Sequence, residues 1–331
     1  MPGIGFAVYA QITGTGPFEG ADVRVGDDGR ISIVTGAVDI GQGLTTALAQ
    51  IVGDELGVSI DRISVRAGDT ARIPHGVGTY ASRAAVMAGN AAAAAAVRVR
   101  AKGVELAAHL LEVGPDDVEW RDGCAWVRGV TGRSVSLGQL AQAARPGGEH
   151  RPAGMEPGLE ARHYYESEDP PFAYGVHAVV VDVDPETGAV RVERYLVVSD
   201  SGRLINPTIA EGQIVGGVAQ GLGGALFEHL VYDADAQLLA SSLLDYALPT
   251  ARDVPNVEMT HLQIPTPLNP LGIKGLGEGG AVGAHAAVAN AVANALLPLG
   301  IEIRATPLSP GQIGELLMRS EAGEGLGRAA R

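Results

Sequence analysis

Apolar and polar positions alternate from Ala21 to Val38, with Val23 and Val25 before and Ile31 and Ile33 after an Asp27-Asp28-Gly29 turn. This pattern predicts a β-hairpin. Leu44, Leu48, Ile51, Val52 and Leu56 then fall close to one helical face, so a helix is expected over Thr45 to Leu56, with Gly57 closing it. Asp61 to Ala67 reads as another strand. The Ala-rich run from Ala84 to Leu111 predicts a long helix, and Ser82 stands where an N-cap is expected. Arg145 to Arg162 holds four glycines and three prolines without periodicity and reads as a linker.

Beyond it the plan repeats. Val176 to Val183 and Val190 to Val198 are β-rich runs joined by Asp184-Pro185-Glu186-Thr187-Gly188, a predicted hairpin turn. That turn has a superficial likeness to a calcium loop, but its glycine is one place late and no closing Glu follows at the needed spacing. Helices are expected over Ile209 to Phe227 and Ala281 to Leu297, and a strand over Ile301 to Ala305. Hairpins and helices in runs predict an α+β fold rather than a doubly wound sheet. The expected organisation is one lobe over 1–144, a linker over 145–162 and a second lobe over 163–331.

Composition narrows the function. The 331 residues suffice for about two domains. Basic residues number 24 against 38 acidic ones, a net charge of −14, which argues against nucleic acid or an anionic membrane as partner. The single cysteine, Cys124, excludes a disulfide framework, a zinc ribbon and a Cys-ligated iron–sulfur cluster held by this chain alone. Any electrons must therefore be carried by another subunit. No basic region followed by an apolar one opens the sequence, and the longest apolar stretches are broken by Asn90, His285, Asn290 and Asn294, so neither a secretory signal nor a membrane span is expected. A cytoplasmic location follows as the expectation. Glycine, at 47 residues, is about twice its usual frequency, while a 46% hydrophobic fraction argues against disorder.

Four glycine-rich segments read as turns feeding helices: Gly41-Gln42-Gly43, Gly76 to Arg83, Gly212-Gln213 with Gly216 and Gly217, and Lys274 to Gly280. A helix start offers unpaired N–H groups and partial positive charge, and glycine lets an anion approach the backbone. Singly, each segment is an ordinary turn. Together, with Gln42, Gln213, Ser82 and Arg83 among them, they favour one polyanionic ligand with hydrogen-bonding edges. Gly275-x-Gly277-x-x-Gly280 matches a dinucleotide fingerprint literally, but Pro265, Pro267 and Pro270 occupy the place of its buried strand. No phosphate-binding P-loop, nucleophile elbow or zinc-ligand spacing occurs. Glu278 sits among glycines at a helix entrance, where it fits both a carboxylate complementing the helix dipole and a general base shown to a substrate.

The segments PGIGFAVY, TGAVDIGQGLTTALAQI, GVGTYASRAAVMAGNA, DPPFAYGVHAVVVDVDPETG, DSGRLINPTIAEGQIVGGVAQGLG and KGLGEGG, in that order, resemble the xanthine dehydrogenase and aldehyde oxidase family of molybdenum hydroxylases, specifically the second molybdenum-cofactor-binding domain of the large subunit. The resemblance implies that Glu278 is the active-site base. It implies cofactor contacts from Gly41, Gln42 and Gly43, from Thr79, Tyr80, Ala81, Ser82 and Arg83, and from Gln213, Lys274, Gly275 and Gly277. The implied cofactor is molybdopterin, in bacterial relatives usually the cytosine dinucleotide, with molybdenum held by the pterin dithiolene rather than by protein ligands. Ser82 and Arg83 would suit its phosphates. Gly279-Gly280 replaces two prolines found in many relatives, and Ala81 stands where carbon monoxide dehydrogenase-like relatives have Gly. The family's preceding domain is absent from this sequence, which implies a split large subunit, as in nicotinate dehydrogenase-like enzymes. Partners would be a chain with the first molybdenum domain, a [2Fe–2S] small subunit and an FAD subunit. The implied reaction is hydroxylation of an N-heterocycle or aldehyde with water. The alternatives are a non-catalytic cofactor-binding or assembly module and a carbon monoxide dehydrogenase-like subunit.

Overall fold

Val23, Val25, Ile31 and Ile33 turn to one face of the predicted hairpin and are buried, founding the first of two hydrophobic cores. The computed structural model describes residues 1–148 and 150–321. The elements run β1 (Pro2–Ile12), β2 (Glu19–Val25), β3 (Ile31–Thr35), α1 (Leu44–Leu56), β4 (Ile63–Ala67) and α2 (Ala84–Leu111). Then come β5 (Val118–Arg121), β6 (Cys124–Val127), β7 (Ser134–Ser136), α3 (Leu137–Ala143) and β8 (Glu160–Tyr165). β9 (Phe172–Val183), β10 (Val190–Asp200), α4 (Pro207–Leu222) and β11 (Val257–His261) precede α5 (Gly279–Val282), α6 (Ala284–Leu296) and α7 (Pro310–Glu321).

Three sheets result, ordered β4-β3-β2-β8, β1-β9-β10-β11 and β5-β6-β7. β3–β4 and β10–β11 are parallel pairs and the others are antiparallel. Two strands lie in the sheet of the other half of the chain. β1 pairs with β9 from Pro2 opposite Asp182 to Ile12 opposite Phe172. β8 pairs with β2, so Glu160, Ala161 and Arg162, at the end of the expected linker, are already part of the first sheet. The two cores are therefore not consecutive stretches of sequence.

Local signals explain most helices. α2 spans the predicted residues, and Ala88, Ala91, Ala92, Ala95 and Ala96 are fully buried, which lets α1 and the first sheet approach it closely. α1 ends at Gly57, whose φ of 68° places it in the left-handed region favoured at a helix C-terminus. Some expectations fail. Ile60–Arg62 is a helical turn, so the strand begins at Ile63 rather than Asp61. The helix expected to reach Phe227 is α-helical only to Leu222 and widens into a π turn over Gly223–Phe227. The helix expected over Ala281 to Leu297 is broken at Gly283. Ile301 to Ala305 forms no strand among the described residues, because Ile301 buries its side chain in the second core while no neighbouring strand offers a ladder.

Residues 279–299 are long and apolar enough in composition to cross a membrane. Here that helical run packs across β1 and β9, with Ala284, Ala287, Val288, Ala291 and Val292 buried in the second core. Gly3 and Gly5 make the approach possible, since a Cβ at Gly5 would fall well inside contact distance of Ala287 O and Ala291 N. Gly5→Ala is expected to destabilise the fold by about 1–3 kcal/mol or more through overpacking. Gly314→Ala, at a helical glycine with open space around it, is expected to stabilise by about 0.5–1 kcal/mol. Denaturant unfolding of both variants checks the contrast.

Candidate functional site

Loops from both cores meet around an open cleft enclosing about 1040 Å³ of space not filled by atoms, part of it open to solvent. The first core contributes Gln42 and Gly43 before α1 and Thr79 to Arg83 before α2; the second contributes Ser201 to Asn206 before α4 and Lys274 to Glu278 before α5. The loops of the second core are tied to one another here. Gly275 N donates to Thr13 Oγ1 at 2.9 Å and Thr13 Oγ1 donates to Pro171 O at 3.0 Å, while Lys274 N donates to Ser201 O at 2.8 Å. A Cβ at Gly275 would collide with Ser82 O and with the side chains of Ser82 and Thr13, so this contact requires glycine. From the buried interior of α2, Asn90 accepts from Leu271 N and donates to Asn269, which tethers the loop leading to Lys274.

Glu278 stands at the mouth of this junction, exposed to the cleft. Its Oε2 accepts from Ser82 Oγ at 3.0 Å and from Gln11 Nε2, and its backbone N–H donates to Ser82 Oγ at 3.1 Å. Its other carboxylate oxygen, Oε1, has no protein donor among the described residues. Ser82 is not the N-cap its position suggests. Arg83 occupies that place without a side-chain cap, and the Ser82 hydroxyl is committed to Glu278. Ala81 and Ser82 both adopt left-handed backbone, φ 45° and 51°, which costs free energy in non-glycine residues and aims the hydroxyl across the cleft.

The Arg83 guanidinium is engaged within the protein. It is fully buried against the equally buried Glu19, with Nη1 2.9 Å from Glu19 Oε2, and its other hydrogen bonds go to Thr15 O, Gly78 O and Phe18 O. Four bonds thus occupy a guanidinium with five N–H donors. Glu19 also accepts from Val77 N and Gly78 N, so the pair pins the loop over 76–83. A local Ser-Arg pair read in isolation could not reveal an acceptor 64 residues earlier in the chain.

The other expected residues divide. Gln42 braces its own turn, accepting from Ile40 N and donating to Val38 O, and Thr79 Oγ1 likewise bonds both Val38 N and Val38 O. Gly41 and Gly43 hold φ of 99° and 77°, backbone that the turn could not take with a bulky residue. Tyr80 is about half exposed, its ring 5.3 Å from the Arg83 guanidinium carbon. Gly277 is exposed on the Glu278 loop. Gln213 lines the cleft, but from within α4, not from a turn before it. That helix begins at Pro207, capped by Asn206. Its Gly217 instead lets Gly280 and Ala281 pack against it. Lys274 Nζ donates to Asp200 at 2.7 Å and sits 4.6 Å from the Tyr174 ring centre. Burial pushes the Asp200 carboxyl up, but hydrogen bonds from Lys274, Tyr174 and the amides of Gly202 and Ile264 outweigh it and hold Asp200 below the usual carboxylate range.

A family model described as a molybdopterin cofactor-binding domain matches residues 2–255. The chain belongs to this family. It is 40% identical to the nicotine 6-hydroxylase large subunit of Paenarthrobacter nicotinovorans, covering 94% of this chain and 40% of that one. Against the carbon monoxide dehydrogenase large chain of Hydrogenophaga pseudoflava, identity is 37% over 91% of this chain and 38% of the relative. The solved structure of quinoline 2-oxidoreductase from Pseudomonas putida 86 superposes with a TM-score of 0.89 at 38% identity, covering 96% of this chain and 42% of that one. The chain thus spans about two fifths of the length of these relatives, and its mixed sheets and helices are those of the family's cofactor-binding domain.

The cleft suits such a cofactor on its own chemistry. Ser201 Oγ, on the cleft lining, is buried and lacks any partner among the described residues, which suits a ligand with hydrogen-bonding edges. Arg203 lines the same cleft with no ion pair or side-chain hydrogen bond among the described residues, unlike Arg83 and Lys274. Ser201 and Arg203 lie in DSGRLINP, and Gln11 lies on β1; no local motif marks any of the three as a site residue. For Ser201 and Arg203 the nearest signal is a polar Ser-Gly-Arg run two residues ahead of an Asn-Pro helix start.

Beneath the Glu278 loop lie three buried rings. Tyr9 is pushed up to about 12 by burial and by the Asp200 charge, and burial also raises the Tyr195 phenol. Burial pulls the His177 imidazole down to about 4, partly opposed by its contact with the Gly279 carbonyl. The unfolded chain therefore binds a proton between about pH 6.5 and 4 that the folded chain refuses. Stability from this group is complete above pH 6.5 and declines as pH falls through that window, by on the order of 3 kcal/mol. His177→Phe is expected to flatten that part of the acid-unfolding profile, measured as unfolding free energy at pH 7 and pH 4.5.

Proposed function

We propose that this chain is the molybdopterin-binding part of a multi-subunit molybdenum hydroxylase in which Glu278 is the general base. The observation that carries the reading is the Glu278 carboxylate, fixed at one oxygen by Ser82 and Gln11 and open at the other, on the rim of a cleft lined by residues of both cores. A base must be held still and remain able to accept a proton, and this arrangement does both. Ser82 keeps the carboxylate oriented with its hydroxyl, and the Gly275 contact keeps Ser82 and Glu278 on facing loops.

The bound cofactor supplies two-electron redox chemistry at molybdenum. In this reading Ser201 Oγ, Gln213 and the turn of Gln42 would bind its polar edges, and Arg203 would supply positive charge toward its phosphates in a chain of net charge −14. On this reading the cofactor is the cytosine dinucleotide form. An N-heterocycle is the favoured substrate class, because nicotine 6-hydroxylase and quinoline 2-oxidoreductase, by their names, act on such rings; an aldehyde is the second. With Cys124 the single cysteine of these 331 residues, electrons would pass to an iron–sulfur subunit and an FAD subunit in a cytoplasmic complex.

In the assembled complex, Glu278→Gln is expected to retain molybdenum and lower kcat by about 10² to 10⁴-fold on an N-heterocycle. Undiminished turnover per molybdenum would overturn the assignment, and no turnover by the wild-type complex on either substrate class would favour an assembly module. Arg203→Ala is expected to lose molybdenum and pterin several-fold faster than wild type on gel filtration, with Arg203→Lys intermediate, as metal and pterin analysis of the eluate would show.

A further inference from the structure

His177, on β9, has its ring completely buried below the Glu278 loop. Nε2 lies 3.2 Å from the Gly279 carbonyl oxygen and Nδ1 lies 2.8 Å from the Tyr195 hydroxyl. A carbonyl can only accept, so Nε2 carries the ring proton; in the neutral ring Nδ1 is then the acceptor and Tyr195 donates to it. Tyr195, on β10, is itself fully buried, and its hydroxyl has no other partner among the described residues. Gly283 presses on the same ring, where a Cβ would come within about 3 Å of Cδ2, Cγ and Nε2. Tyr9 packs edge-on from β1 with ring centres 5.7 Å apart. Position and tautomer of the imidazole are both fixed, and the group it grips is the carbonyl of the residue after Glu278.

We propose that Tyr195 and His177 are positioning residues for Glu278: a two-link strut that holds the Gly279 carbonyl from below and so sets the direction in which the carboxylate faces the cleft. This rests on Glu278 being the base. Four of the six residues from Gly275 to Gly280 are glycine, so the loop has little stiffness of its own. Ser82 and Gln11 restrain the carboxylate from above, and the strut restrains the backbone from below.

The test compares His177→Phe, His177→Gln and Tyr195→Phe in the assembled complex, with Glu278→Gln alongside. His177→Phe and Tyr195→Phe are expected to lower kcat per bound molybdenum by about 10 to 100-fold with KM little changed, since small misplacements of a reacting group carry penalties of that order. Their double variant should be no worse than His177→Phe. His177→Gln, which offers an amide N–H near the place of Nε2, should recover part of the rate and be insensitive to Tyr195→Phe. On the full chain, ¹⁵N NMR should show the Nε2–H tautomer of His177 in the wild type and a mixture in Tyr195→Phe, with faster amide exchange over 277–283. Lower melting temperatures with unchanged kcat per molybdenum would reduce the strut to packing and overturn the proposal. If Glu278→Gln keeps full turnover, the base assignment fails instead, and the tautomer and exchange data then judge the strut by themselves, an Nδ1–H ring or unchanged exchange refuting it.

Discussion

The hydrogen bond between Ser82 and Glu278 joins side chains 196 residues apart in sequence, one from each core, and the cleft exists because that junction is held closed. Everything around it serves to bring the two loops within reach. Gly275 removes the side chain that would separate them, and Thr13 links the loop to the end of β1. The strained backbone at Ala81 and Ser82 persists because the loop behind it is anchored on Arg83 and Glu19.

Charge bookkeeping distinguishes the residues that shape the cleft from those able to act on a ligand. Arg83 with Glu19 and Lys274 with Asp200 are neutralised pairs, buried or nearly so. Such pairs contribute little net stability but tolerate no substitute geometry, since a partner left alone in the interior is costly. They fix loops. Among the described residues, Glu278 and Arg203 remain as the charges without an opposite partner in the cleft.

How much was legible depended on distance along the chain. α1 and α2 announced themselves because their apolar spacing and closing residues are local, and the β9–β10 hairpin carried its own turn. β1 gave no such signal, since its register is set by β9 and its glycines answer to α6. The glycines near Gln213 were misread as a turn because a glycine admitting an anion and one admitting a neighbouring helix look alike in sequence. The motifs located Glu278, Ser82 and the Gln42 turn on the cleft. They could not locate Gln11 or His177, whose places follow from strand pairing, nor the partner of Arg83.

The placement of β1 carries a consequence for how the molecule comes into being. Its partner strand, β9, begins 160 residues beyond the end of β1. At ordinary rates of synthesis, roughly 10–30 s pass between the emergence of the two. During that time the first core can close upon α1 and α2 while β1 waits with both edges bare, a segment apt to pair with a stranger; its Ile4, Phe6 and Val8 stay exposed in the finished fold as well. The nascent chain should therefore depend on chaperones, and its yield in a foreign host should be governed by the interval before β9 arrives more than by the stability of the finished fold.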